Sequence, residues 1–245
     1  MKIYIGTSGY NYSHWREVFY PKDLPQNKWL WFYSQHFNCV ELNVTFYRLP
    51  SKKTFQSWYK KTPKDFKFVV KAWKQITHIK RLKNTLEYLK IFFENVKELK
   101  EKLTCILWQM PPSLKKDTQL LKDYLKELFK IRIAKKIFHS IEFRHKSWFV
   151  EEVYKVLKEY NVNLCIAHSQ KWPFIKVLTS NFLYLRFHGG KILYGSEYSL
   201  EELSEFKKIV KEFEKDIEVL FSFFNNDAYG FAVKNALQFR RLLEK

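Results

Sequence analysis

The sequence is short of the residues that punctuate or staple a chain. Only 6 Gly and 7 Pro occur in 245 residues, which excludes a collagen-like or low-complexity chain. The three cysteines, Cys39, Cys105 and Cys165, are odd in number and each stands inside an apolar run. They are expected as buried, reduced thiols of a cytoplasmic protein, not as a disulfide framework or a zinc site. No apolar stretch approaches about 20 residues, so no membrane span is expected. The N-terminal run Met1-Lys2-Ile3-Tyr4-Ile5-Gly6 is too short for a signal peptide and reads as a first strand. No G-x-G-x-x-G, P-loop or pyridoxal signature occurs, so no organic cofactor with a readable motif is expected. No H-x-x-x-H spacing occurs either, and whether a divalent metal is used stays open.

Acidic residues are also scarce: 25 Asp plus Glu face 44 Lys plus Arg, for a net charge of +19. Such a surplus attracts polyanions, with nucleic acid the first partner class and an acidic membrane surface the second. Because the basic residues are spread along the chain, a solvated Lys-rich surface is the competing reading. Abundant Lys and Glu fit a thermophile.

Aromatics are plentiful, with 23 Phe, 15 Tyr and 8 Trp, enough for a core of bulky rings and some cleft-lining faces. Eight apolar runs read as strands: Lys2–Ile5, Cys39–Leu42, Phe66–Val70, Thr104–Trp108, Ile137–Glu142, Asn163–Ala167, Phe182–Phe187 and Ile217–Phe223. Most are continuously apolar, as in strands covered on both faces. Helix patterns stand between them, two with capping-box spacing, Asn84 with Glu87 and Ser199 with Glu202. The crossover His168–Asn181 carries Pro173 and is expected to be irregular. Strand and helix alternating about eight times predict one α/β domain over 1–245, a single (β/α)8 TIM barrel. An open doubly wound sheet is the alternative.

Polar residues gather where these runs end. Thr7, Ser8 and Tyr10 follow the first; Glu41, Asn43 and Tyr47 the second; Lys71 and His78 the third; Gln109 the fourth. Glu142, Arg144, His145 and Trp148 follow the fifth, Arg186 and His188 the seventh, and Asn225, Asn226 and Asp227 the eighth. In a barrel these positions converge on one mouth. Glu41, Glu142, His145 and His188 are the expected catalytic groups, since carboxylates and imidazoles exchange protons near neutrality. Lys71, Arg144 and Arg186 suit a phosphate or carboxylate, and Thr7, Ser8, Asn43, His78, Gln109, Asn225 and Asn226 offer further polar contacts. Tyr10, Trp15, Tyr47, Trp73 and Trp148 would present stacking faces. Each has a structural alternative: Glu41 with an Arg as an ion pair, and His14, His36 and His139 as residues without special company.

At these same positions the chain resembles the YecE-like family, also called domain of unknown function 72. The resemblance rests on Gly6-Thr7-Ser8-Gly9-Tyr10 with Trp15, on Val40-Glu41-Leu42-Asn43-Val44-Thr45-Phe46-Tyr47, and on Phe66-Lys67-Phe68-Val69-Val70-Lys71-Ala72. Gln109-Met110-Pro111-Pro112, Glu142-Phe143-Arg144-His145, Tyr184-Leu185-Arg186-Phe187-His188-Gly189 and Phe224-Asn225-Asn226-Asp227 continue it in order. The resemblance implies a TIM barrel and no particular reaction. His168-Ser169-Gln170 stands where the family usually has an Asp-Ser-Pro type sequence, which puts any role of that Asp in doubt.

Three functions follow as expectations. The first is binding or hydrolysis of a phosphodiester or nucleic acid, as by a phosphodiesterase or nuclease-like hydrolase. The second is an enzyme acting on a small anionic metabolite, phosphorylated or a sugar. The third is a non-catalytic scaffold that binds RNA or protein.

Overall fold

The computed structural model describes residues 1–244; Lys245, the last residue of the expected domain, lies outside them. Among the described residues the strands are β1 (Lys2–Thr7), β2 (Cys39–Leu42), β3 (Lys67–Lys71), β4 (Leu103–Gln109), β5 (Phe138–Glu142), β6 (Asn163–Leu164), β7 (Ile166–His168), β8 (Phe182–Phe187) and β9 (Val219–Phe224). The helices are α1 (Trp29–His36), α2 (Val44–Tyr47), α3 (Lys52–Lys60), α4 (Leu86–Val96), α5 (Thr118–Leu128), α6 (Glu151–Glu159), α7 (Leu200–Phe213) and α8 (Phe231–Glu244). Every expected strand is present within a residue or two of its expected ends, apart from the sixth. That one is divided at Cys165, whose backbone N–H bonds Ile141 O at 2.8 Å between β6 and β7.

All strand pairings are parallel, in two sheets: β2-β3-β4-β5-β6 and β1-β9-β8-β7. The continuous closed sheet expected from the alternation is therefore not formed. Between β1 and β2 the recorded link is the single bridge Ser8↔Glu41. The two sheets nevertheless share one inner cluster, in which Cys39, Val69, Cys105 and Leu107 meet Cys165, Phe182, Tyr184, Phe221 and Phe223. These are alternate residues of their strands, so the same period of two carries Glu41, Lys71, Gln109, Glu142 and Arg186 to the inner side. A larger cluster lies between the outer faces and the helices, and all three cysteines are free and buried.

Local capping follows the sequence in part. Ser199 and Glu202 form the full reciprocal box at the start of α7. The Asn84–Glu87 box is absent: α4 starts after Thr85, and Asn84 sits at φ 52°, left-handed backbone that Asn tolerates. The crossover after β7 carries no helix before β8 among the described residues, as Pro173 implies. No helix is long and apolar enough to cross a membrane among the described residues.

Candidate active site

The strand ends place Arg186 between two carboxylates. Its Nε donates to Glu41 Oε1 and Oε2 at 3.1 and 3.0 Å, and Nη2 donates to Oε1 at 2.8 Å. Nη1 donates to Glu142 Oε2 at 2.8 Å. Tyr184, two residues earlier on the same face of β8, donates its hydroxyl to Glu41 Oε2 at 2.6 Å. Glu142 Oε1 accepts from Arg144 Nε at 2.8 Å and lies 3.5 Å from His188 Nε2. Arg186, Glu41 and Glu142 are all buried. Burial alone would raise both carboxyls, but Arg186 at Glu41, and Arg144 with Arg186 at Glu142, outweigh it and hold both below the usual range.

This network gives four of these residues structural contacts. Arg186 is saturated by protein carboxylates and is not a free anion clamp. Glu41 and Glu142 are ionised acceptors already bonded to guanidinium groups, which suits a frame better than proton exchange. His188 is fully buried, and burial lowers its pKa to about 4, leaving the ring neutral at pH 7; its Nδ1 faces Asn225 Nδ2 at 3.1 Å.

Above this frame stand groups with capacity to spare. Lys71 is 8% exposed, and among the described residues its Nζ has no recorded acceptor; it lies 4.1 Å from the Phe46 ring centroid. Burial, reinforced by Arg186 and opposed by the two glutamates, brings its pKa down to about 7. Arg144 is half-buried, its guanidinium 3.6 Å above the Trp172 ring, and its recorded hydrogen bond runs through Nε alone. His78, lowered to about 4 by burial and then by Lys71, faces Gln109 Nε2 at 3.5 Å. Ser8 Oγ is buried beside Glu41, whose carboxyl it helps to lower. Asn43 joins the frame to the rim: Arg186 Nη2 approaches its Oδ1 at 3.4 Å, and its Nδ2 donates to Ser8 O at 3.2 Å. Asn43 also lines a cavity of about 470 Å³ with Tyr10, Tyr12, Tyr47, Arg48 and Trp58.

Other expected residues are placed elsewhere. Thr7 Oγ1 donates to Gly9 O at 2.6 Å and lies 2.9 Å from the hydroxyl of Tyr33 on α1, on the helix side of the strand. His145 Nδ1 accepts from Ser147 N and caps the short turn Lys146–Trp148. Trp148 is fully buried, stacked on Phe143 at 4.3 Å and bonded through Nε1 to Leu114 O, so it presents no face to a ligand. Trp15 is likewise buried. Asn226 ties Ser196 O to Asn235.

Sequence reasoning missed two partnerships. His14 Nε2 lies 3.0 Å from Asp227 Oδ2, and Trp15 Nε1 donates to Asp227 Oδ1 at 2.8 Å, which joins the loop after β1 to the loop after β9. Burial raises Asp227 to about 6 against the opposing contacts of Trp15 and His14. Trp172, in the irregular crossover, also escaped notice; Pro173 beside it was the available signal. Among the described residues no three His, Cys, Asp or Glu side chains come together as a metal-ligand set.

The family model described as "Protein of unknown function DUF72" matches residues 4–245. The UPF0759 protein YunF of Bacillus subtilis is 27% identical over 276 residues, covering 99% of this chain and 95% of that protein. A DUF72 family crystal structure from Thermotoga maritima is 33% identical, with a TM-score of 0.88 and full coverage of both chains. A putative vitamin-B12 independent methionine synthase from Listeria monocytogenes shares the fold alone, at 8% identity and a TM-score of 0.57, covering 98% of this chain and 96% of that one.

Proposed function

The chain belongs to the DUF72 family, and on that premise we propose that it is an enzyme acting on a small phosphate- or carboxylate-bearing substrate at the C-terminal strand ends. The same reading takes the two sheets as halves of one (β/α)8 barrel whose mouth holds the site.

Lys71 carries the reading. A buried amine with no recorded acceptor among the described residues, its pKa brought down to about 7, can exchange its proton near neutral pH. In its neutral form it accepts a proton from substrate; in its charged form it holds an anion. Arg144, fixed by Glu142 and by the Trp172 ring, is positioned to meet negative charge on the substrate. Glu41, Arg186 and Glu142 together carry one negative charge, which Arg144 offsets, so the net positive charge that an arriving anion meets is that of protonated Lys71. Because both glutamates are bonded to guanidinium groups, neither offers a free set of oxygens to a divalent cation, and no step is routed through one.

A small substrate is favoured over a polymer because Lys71, Gln109 and His188 are buried. A phosphodiester or nucleic-acid substrate is the second reading, supported by the aromatic cavity around Tyr10, Tyr12, Tyr47 and Trp58 beside Asn43.

A thermal-shift screen with phosphorylated metabolites and short oligonucleotides tests both. Ligand near 100 times its dissociation constant stabilises by about 2.7 kcal/mol, a rise of roughly 5–10 °C for a chain of this size. The rise is expected for wild type and not for Lys71→Met. Equal shifts in both proteins, or none with any ligand, would remove the proposal; binding without turnover would reduce it to a binding site.

A further inference from the structure

Two cavities lie at the opposite end of the strands from Lys71. One, of about 660 Å³, is lined by residues from Lys90 to Leu103 and from Ile131 to Ile137. The other, of about 630 Å³, runs across the starts of β1, β3, β4, β5 and β9. They share Glu101, Leu103, Lys136 and Ile137 and so lie side by side, and the two together are called the groove below.

The groove is far more basic than the chain as a whole. Lys90, Lys97, Lys100 and Arg132 stand along the first part, Lys2, Lys67 and Lys135 along the second, and Lys136 in both. Three carboxylates face them, Glu94, Glu101 and Glu218. Glu94 is paired with Lys52 and Lys97, and Glu101 accepts from the Tyr59 hydroxyl at 2.9 Å. Among the described residues Lys2, Lys100, Arg132, Lys135 and Lys136 have no recorded ion pair. Helix C-termini attract cations, but only over the last turn. Lys100 stands in the short 3-10 helix Lys97–Lys102, and Lys135 and Lys136 in the 3-10 helix Ala134–Lys136, while Arg132 lies outside any helix.

The floor is aromatic and half-buried. Phe129 and Tyr160 stack at 5.7 Å and 19°, and Tyr4 and Phe138 close the start of the strand interior. Unpaired cations along a groove lined by partly exposed rings match a single-stranded nucleic acid, whose phosphates meet the cations while its bases lie against the rings.

We propose that this groove at the N-terminal strand ends binds the backbone of single-stranded nucleic acid, separately from the site around Lys71. The test is fluorescence anisotropy of labelled oligothymidylate and an RNA counterpart over a range of salt. One variant carries Lys100→Glu, Arg132→Glu, Lys135→Glu and Lys136→Glu. A charge-matched control carries Lys53→Glu, Lys115→Glu, Lys208→Glu and Lys211→Glu, all exposed and outside the groove. A Lys71→Met protein reports on the other end, and a version with Gln at the four groove positions guards against misfolding, with circular dichroism confirming the fold.

Wild type, the control and Lys71→Met are expected to bind alike. The groove variant is expected to lose at least tenfold, and its salt slope to flatten by about 3, since each phosphate contact on a single strand contributes about 0.7. Absence of binding by wild type at low salt would overturn the proposal. So would equal loss in the control, loss in Lys71→Met alone, or binding to phosphatidylserine vesicles in place of either oligonucleotide.

Discussion

Arg186 and Glu41, 145 positions apart in the chain, meet through three hydrogen bonds in a site from which solvent is excluded. Glu142 holds the other edge of the same guanidinium at 2.8 Å. The arrangement leaves few ways to change one member alone.

Replacing Arg186 with Met leaves the buried Glu41 without its cation and Glu142 with Arg144 alone. The expected loss is about 3–5 kcal/mol, the usual result of removing one partner from a buried ion pair. Urea unfolding measures it. The triple variant Glu41→Gln, Glu142→Gln, Arg186→Met should recover part of that loss; an Arg186→Met protein as stable as wild type would show that the network is not load sharing.

Lys71 makes stability rise with pH on the alkaline side. Its folded pKa is about 7 and its ordinary value 10.5, so between these the unfolded chain holds more protons than the folded one. Below about pH 7 the lysine is charged in both states and the cost of burying it is fully felt. Chemical denaturation at pH 7 and pH 10 should show wild type gaining stability relative to Lys71→Met. Parallel behaviour of the two proteins would contradict the assignment.

On the acid side the sign comes from other groups. His139 and His188 are lowered from 6.5 to about 4 by burial, so the folded state resists protonation across that window and stability falls as pH drops through it. Glu41 and Glu142, held below 4.5, lose their contribution as pH falls further toward their folded values. NMR titration should find both imidazoles neutral at pH 6; a midpoint near 6.5 for His188 would argue against its burial beside Arg186.

Asp227 should be visible through Trp15. Its Oδ1 accepts from the indole N–H, and its pKa is raised to about 6. The Trp15 indole resonance is expected to shift with a midpoint near pH 6. His14→Ala removes a contact that lowers the carboxyl, so the midpoint should move up; an unchanged midpoint would deny the His14–Asp227 pairing.

The fold was legible wherever an apolar run was long enough to be a strand by itself. β2 and β8 match their expected ends, and Glu41, Lys71, Glu142 and Arg186 share the inner side because each is in phase with buried residues of its own strand. The break at Cys165 was not legible, because an apolar residue reads the same within a strand as between two. Pairing was hidden for a different reason. His14 has nothing distinctive beside it in sequence, and its partner Asp227 lies 213 positions away. Trp148 shows the limit of composition: a ring near a strand end can line a cleft or, as here, lie on Phe143 beneath it.

The Arg186 network also sets an order of events for the growing chain. Glu41 emerges from the ribosome well before β8 and is not dehydrated cheaply without the guanidinium that β8 delivers, whereas Glu142 has Arg144 beside it. The interior around Glu41 is therefore expected to stay hydrated until β8 docks. Drying of the centre belongs to the final docking of β8 and β9, and a nascent chain truncated before Arg186 should stay loose however complete its first sheet.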